Sequence, residues 1–203
     1  MTFNNYTQKS LEAVQSAQNI AVQHSNQQLE QIHLLLALLQ QDGGLTPQLL
    51  RKMGVNAESL EAAVKAEVQK LPAVTGSREA DRFYISAGMD AAFRCAQQQA
   101  ERMKDDFISV EHLLLALIEA AEGAVKNLFE TYRITKEGAL QALQSIRGSQ
   151  RVTTDNPEGT YDALEKYGTD LVKRAREQKQ DPVIGRDEEN PECDPHFVPK
   201  DEE

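Results

Sequence analysis

The hydrophobic and polar positions of this chain follow a pattern that occurs twice. The apolar run from Ile32 to Leu39 recurs 79 residues later, between Glu111 and Ile118. The same offset holds without a gap for alanines, glycines and helix-capping residues on both sides of the run. Self-similarity at one fixed spacing is typical of a folding unit that is used more than once. The pattern therefore predicts a tandem duplication.

Each unit is predicted to contain four helices. In the first unit, Thr7 is the expected N-cap of an amphipathic helix, and the leucine-rich run predicts a buried central helix that ends near Gly43. Thr46 followed by Pro47 predicts the start of a third helix, and Asn56 is the expected cap of a fourth. The second unit repeats the plan, with helices predicted over residues 86–104, 109–121, 125–132 and 135–146.

The chain divides into two repeats and a different C-terminal part. A repeat of about 65 residues is too small to bury a good core alone, so the two are expected to pack together. The predicted fold is all-α: an eight-helix globule with pseudo-two-fold symmetry, a C-terminal helix and a disordered tail. The predicted segments are residues 1–72 (first repeat), 73–85 (inter-repeat linker), 86–148 (second repeat), 149–160 (flexible linker), 161–189 (charged helix and start of a further module) and 190–203 (disordered tail).

Composition supports a helical protein and excludes some partners. Aromatic residues are only 5% of the chain and tryptophan is absent, which favours helices over a sheet. Residues 151–203 hold 15 acidic and 8 basic residues, so most of the net charge of −10 lies after the repeats. Nothing resembles the basic surface of a nucleic-acid-binding protein. The apolar runs are too short to span a bilayer and no secretory signal is present, so a cytoplasmic protein without a membrane partner is expected.

Two histidines are the first candidates for chemistry. His33 and His112 occupy the same slot of the two units, each before a leucine run. They could be a metal pair or acid–base groups, or they could be hydrogen-bonded at the start of a buried helix. Neither has a Cys or a second His at ligand spacing, which favours the structural role, and Glu111 beside His112 is too little to define a catalytic dyad. Cys193 and His196 form only half of a metal site, so no metal and no catalytic residue are expected.

Two sequence segments after the repeats carry a family resemblance. They are residues 165–171 (Glu-Lys-Tyr-Gly-Thr-Asp-Leu) and 181–186 (Asp-Pro-Val-Ile-Gly-Arg). Together with the duplicated unit, they resemble the Clp/Hsp100 family of AAA+ chaperones, and more narrowly its ClpB branch. Residues 1–148 look like the paired Clp repeat N-terminal domain, and residues 161–189 look like the entry to the first ATPase module. The resemblance ends after residue 189.

The resemblance implies that ATP is not handled by this sequence. In the family, Val183, Ile184 and Gly185 would line an adenine pocket and ATP with Mg²⁺ would be the cofactors. The sequence contains no Gly-Lys pair, so it has no Walker A loop to hold phosphate and Mg²⁺. We therefore expect no ATPase activity, no bound cofactor, and only a remnant of the adenine pocket.

The resemblance also implies a binding function. By position, Thr7, Asp105 and Glu111 correspond to family residues assigned to substrate contact, although a helix cap, a turn and a favourable first-turn charge would also explain them. The expected function is a substrate-docking module that binds exposed apolar segments of misfolded or aggregated proteins in a groove between the two units. The alternatives are a regulatory fragment that docks onto full-length ClpB hexamers through residues 160–189, and a truncated gene product without function.

Overall fold

A computed structural model describes residues 5–73, 84–148 and 151–157, all of which belong to one compact unit, Met1–Ala163. These residues confirm the predicted all-α fold, with two very short strands added. The elements in chain order are α1 (Gln8–Gln23), β1 (Gln28–Leu29), α2 (Gln31–Gln40), α3 (Leu45–Lys52), α4 (Ala57–Lys70), β2 (Tyr84–Ile85), α5 (Ala87–Met103), α6 (Val110–Glu119), α7 (Gly123–Thr131) and α8 (Lys136–Arg147).

The predicted N-caps begin four of these helices. In each case the side-chain oxygen accepts a hydrogen bond from the backbone amide three residues further on, which satisfies one of the free amides of the first turn. The caps are Thr7 of α1, Asn56 of α4, Ser86 of α5 and Thr135 of α8. The start of α3 differs from the prediction, because Gly44 and not Thr46 is its N-cap. Pro47 still lies in the first turn, where its missing N–H removes no helical hydrogen bond.

The two leucine-rich helices, α2 and α6, pack on each other at the centre of the fold. Each is covered by the first helix of its own repeat, α1 on α2 and α5 on α6. Leucines of both runs are among the largest fully buried side chains, namely Leu34, Leu35, Leu38, Leu113, Leu114, Leu115 and Leu117. The central position explains why these helices are apolar almost all round.

The third helix of each repeat packs against the other repeat. Helix α3 contacts α6 and α8, and α7 contacts α2 and α4. At the end of α7, the Tyr132 hydroxyl donates to the backbone carbonyl of Ser59 in α4 over 3.0 Å. The two repeats therefore share one core, as their small size requires.

The repeats are also joined by two equivalent strand pairings. β1 pairs with β2 in parallel, with Leu29 opposite Ile85, and an isolated parallel bridge joins Tyr6 to Ile108. The offset of 79 residues converts Tyr6 into Ile85 and Leu29 into Ile108, so each repeat lends its N-terminal residues to the other in the same way. The sequence predicted linker and loop at these positions, because a two-residue pairing has no periodicity to detect.

Several predicted features lie outside the described residues. They are most of the inter-repeat linker (74–83), the C-terminal helix and module start (161–189) and the tail (190–203). The adenine-pocket residues Val183, Ile184 and Gly185, and the half metal site, fall in the same part of the chain. Within the part that the structure describes, no helix is long and apolar enough to cross a membrane.

Candidate functional site

His33 begins α2 as a buried, neutral side chain. Its Nδ1 accepts a hydrogen bond from the backbone amide of Glu30 at 3.0 Å, so Nε2 carries the proton and donates to Asn26 Oδ1 at 3.0 Å. Burial lowers the pKa of His33 to about 4, and the nearby charge of His24 adds to this effect. The histidine therefore acts as the reciprocal partner of a capping box, as expected for a structural role.

His112 holds the same position at the start of α6. The Ser109 backbone amide donates to His112 Nδ1 at 2.9 Å, and Nε2 donates to Asp105 Oδ2 at 3.0 Å. The offset of 79 residues converts Asn26 into Asp105 and Glu30 into Ser109. The second repeat thus keeps the geometry but places a carboxylate where the first repeat has an amide.

Ser109, His112 and Asp105 superficially form a Ser-His-Asp arrangement. The Ser109 hydroxyl lies 2.8 Å from His112 Nδ1, but both side chains are completely buried. The same hydroxyl accepts from the backbone amide of His112 as part of a capping box, and the first repeat has the same geometry with no hydroxyl. The arrangement therefore caps a helix. Among the described residues, no group of three or more His, Cys, Asp or Glu side chains is placed to hold a metal ion.

Asp105 belongs to a buried cluster of charges that the first repeat lacks. Arg147, at the end of α8, donates from Nη2 to both Asp105 oxygens at 2.5 and 2.6 Å and from Nη1 to Glu111 Oε1 at 3.3 Å. All three side chains are buried. By the 79-residue offset, Glu111 and Arg147 replace Ile32 and Val68 of the first repeat, which are buried and apolar. We call Asp105, Glu111, His112 and Arg147 the charged cluster.

Sequence reasoning missed Arg147, although the sequence contained a signal for it. Val68 is predicted to face the core in the fourth helix, and the offset places Arg147 in that slot. A charged residue in the duplicate of a core position needs a buried partner. Glu111 and Asp105, which replace an isoleucine and an asparagine, were the available acidic partners.

The charged cluster strongly favours an ionised Asp105. Burial alone would raise the pKa of this carboxyl group. Hydrogen bonds from His112, Arg147 and the Val152 amide, together with the charge of Arg147, outweigh burial and hold the pKa of Asp105 below its usual value. Glu111 is less well satisfied, since its Oε2 atom is buried without a hydrogen-bond partner among the described residues.

Residues 151–157, which we call the strap, return to the fold next to this cluster. The Val152 amide donates to Asp105 Oδ1 at 2.8 Å, and the Asp106 amide donates to the Val152 carbonyl at 2.9 Å. At the other end, the Gln8 amide donates to the Asp155 carbonyl at 2.8 Å. Val152 itself is fully buried. The sequence predicted a flexible linker over 149–160, and the described part of that segment is instead docked, because its partners are distant in sequence.

The three residues predicted to contact substrate are buried side chains. Thr7 caps α1 and is completely buried, while Asp105 and Glu111 belong to the charged cluster. The structure does bring them to one region, since the strap bonds to Asp105 and to Gln8 beside Thr7. Their observed contacts are structural, and direct contact with a client stays a prediction for them.

Exposed apolar side chains lie at one of the two inter-repeat strand pairings. Tyr84 is 56% exposed and Ile85 is 41% exposed on β2. In the equivalent bridge, Tyr6 and Ile108 are only 9% and 7% exposed. The strap bonds on both sides of this second bridge, to Gln8 and to Asp106. The pseudo-two-fold symmetry is therefore broken at the surface, with one pairing open and the other closed.

A groove of about 700 Å³ lies within the second repeat, at the junction of α6, α7 and α8. Its apolar lining includes Ile118, Ala121, Phe129 and Ile134, and exposed charged residues such as Lys126 also line it. The groove is formed by one repeat, whereas the sequence analysis expected a groove between the two.

Comparison with known proteins defines the family. Residues 5–132 match the family model described as "Clp repeat (R) N-terminal domain". The chain is 46% identical over 190 residues to the chaperone protein ClpB of Bacillus cereus, and 42% identical over 191 residues to that of Nitratidesulfovibrio vulgaris. Each alignment covers 93% of this chain. The chain belongs to the Clp repeat N-terminal domain family, and the relatives are ClpB chaperones.

Solved structures share the fold. The N-terminal domain of Hsp104 from Candida albicans matches with a TM-score of 0.68 and 21% identity, covering 76% of this chain and 99% of that one. The N-terminal domain of the ClpV1 ATPase from E. coli matches with a TM-score of 0.59 and 18% identity, covering 73% and 89% of the two chains. These neighbours identify the helical fold of a chaperone N-terminal domain.

The chain corresponds to a small part of its sequence relatives. It spans 22% of the length of the ClpB chaperones named above. The activity, substrates and partners of those whole proteins are therefore matters for proposal.

Proposed function

We propose that the chain is the substrate-docking module of a ClpB-type protein disaggregase, which binds exposed apolar segments of misfolded or aggregated proteins in the cytoplasm. The observation that carries the proposal is the exposed pair Tyr84–Ile85 beside the inter-repeat strand pairing, in a chain 46% identical to a ClpB chaperone.

The exposed pair suits a client of low sequence specificity. Hydrophobic attraction is non-directional and grows with the apolar area that is removed from water. Covering a tyrosine and an isoleucine contributes a few kcal/mol at about 25 cal/mol per Å², part of which is lost to ordering the client. The resulting binding is weak, which suits a module that captures clients and releases them.

The residues expected from the family resemblance enter the proposal indirectly. Thr7, Asp105 and Glu111 are buried, so their support for client binding is positional: they fix the loop before α6 and the start of α1. We therefore expect Asp105→Ala plus Glu111→Ala to weaken client binding through loss of local structure.

The test is binding of the full chain to a fluorescently labelled, heat-unfolded model protein, followed by anisotropy. The wild type is expected to bind with a Kd in the micromolar range or weaker. Tyr84→Ser plus Ile85→Ser should weaken binding about tenfold, because two exposed apolar side chains are lost. Leu11→Ser is the matched control, since Leu11 on α1 is as exposed as Ile85, at 41%.

Circular dichroism and urea unfolding verify that each variant keeps its fold. Absence of binding by the folded wild type would overturn the proposed function. Equal losses in the strand variant and in the Leu11 control would remove the assignment of the site to Tyr84 and Ile85.

A further inference from the structure

Val152 is held by the protein in the way a binding site holds a peptide. Its N–H donates to the Asp105 carboxylate at 2.8 Å, and its carbonyl accepts from the Asp106 amide at 2.9 Å. The side chain between these two bonds is fully buried. Main-chain hydrogen bonds on both sides of a buried apolar side chain are the usual means of recognising an extended segment.

The neighbours of Val152 add charge complementarity. The Arg151 guanidinium lies 3.8 Å from the Asp106 carboxylate, and both groups are exposed. Asp105 is ionised and faces the amide of Val152. The site therefore fits a segment in which a basic residue precedes an apolar one.

The first repeat does not offer the same site. At the equivalent position, the Asn26 side-chain amide donates to the Pro72 carbonyl at 3.2 Å. An amide that donates to a carbonyl does not select a free backbone N–H, whereas the Asp105 carboxylate accepts from one. The replacement of Asn26 by Asp105, together with Arg147 to support its charge, creates the acceptor in the second repeat only.

We propose that Asp105, Asp106 and the cavity filled by Val152 form a second client-binding site, which the strap occupies in cis. The occupant that competes with the strap is an extended client segment with a basic residue followed by Val, Ile or Leu. This inference rests on the proposed client-binding function and adds a regulated site to the exposed pair at β2. The strap is a tethered competitor, so its high effective concentration keeps the site closed until client segments are abundant.

The test uses a labelled peptide with the sequence of the strap, Arg-Val-Thr-Thr-Asp-Asn-Pro, and the full chain. A strap that occupies its site about nine-tenths of the time weakens the apparent affinity for the peptide about tenfold. Val152→Ser, which weakens the strap, should therefore tighten peptide binding about tenfold relative to the wild type. Thr154→Ser, an exposed strap position, is the matched control and should leave the affinity unchanged.

Two readouts locate the binding. The amide resonances of Asp106 and Ile108 should shift when the peptide is added to Val152→Ser. A peptide with serine in place of valine should bind neither protein. Unchanged peptide affinity in folded Val152→Ser, or shifts confined to other regions, would overturn the inference.

The same proteins separate this inference from the proposed function. Client binding by the wild type, with identical peptide affinity in the wild type and Val152→Ser, overturns the strap site and leaves the β2 site intact. Tighter peptide binding by Val152→Ser, with no binding of unfolded client by either protein, supports strap exchange and overturns the client-binding function.

Discussion

At the scale of single residues, His33 makes folding sensitive to moderate acid. Its pKa is lowered to about 4 by burial, whereas the unfolded chain has the ordinary histidine value of about 6.5. The unfolded state therefore takes up the proton first as the pH falls. The contribution of His33 to stability is complete above pH 6.5, decreases as the pH falls, and is lost near pH 4.

We expect the free energy of unfolding to decrease between pH 7 and pH 5, with an upper bound on the order of 3 kcal/mol for the full His33 effect. Urea unfolding at several pH values measures it. His33→Gln keeps an acceptor and a donor but does not titrate, so it should show a flatter profile. Identical pH profiles of the two proteins would contradict the assignment. Asp105 acts in a separate window, because its lowered pKa places the loss of its contribution below the usual aspartate range.

At the scale of elements, the charged cluster joins α6, α8 and the loop that follows α5. A buried ion cluster is often no more stabilising than well-packed apolar residues, but removing one partner leaves an uncompensated charge. The first repeat shows what an uncharged version looks like, with Asn26, Ile32 and Val68 around His33 in the same fold.

This comparison predicts the outcome of transplanting one repeat's residues into the other. Arg147→Val alone should cost about 3–5 kcal/mol, since Asp105 and Glu111 lose their common partner. Adding Asp105→Asn and Glu111→Ile should restore the stability to within about 1 kcal/mol of the wild type or above it. Urea unfolding of both variants measures the difference. A triple variant as unstable as the single one would show that the repeats are not interchangeable at this position.

The sequence predicted the parts of the fold that are encoded locally. Thr7 and Ser86 were recognisable as caps, and the leucine runs as buried helices, because their signals lie within a few residues. The strap and the two strand pairings were missed, since Val152 and Asp105, or Leu29 and Ile85, are far apart in the chain and carry no periodic pattern. The site was predicted only through the family resemblance, which gave positions without burial.

At the scale of the whole molecule, the two repeats are interlocked and not merely adjacent. Gln31 of the first repeat donates from Nε2 to the carbonyls of Gly88 at 2.9 Å and Ala120 at 2.7 Å in the second. Its Oε1 accepts from the Glu122 amide at 3.1 Å. Helices α3 and α7 each pack against the opposite repeat. A repeat that unfolded alone would expose the core of its partner.

We therefore expect one cooperative unfolding transition, although the sequence is a duplication. Native-state hydrogen exchange tests this at Leu38 and Leu117, which are equivalent, fully buried positions of α2 and α6. Their amides should exchange with the same free energy, equal to that of global unfolding, because opening either central helix requires opening the other. The Ser86 amide, at the exposed strand pairing, should exchange at a lower free energy and serves as the reference for local opening. Exchange free energies at Leu38 and Leu117 that differ by more than about 1 kcal/mol would show that the repeats unfold separately, and the shared core would then not couple them.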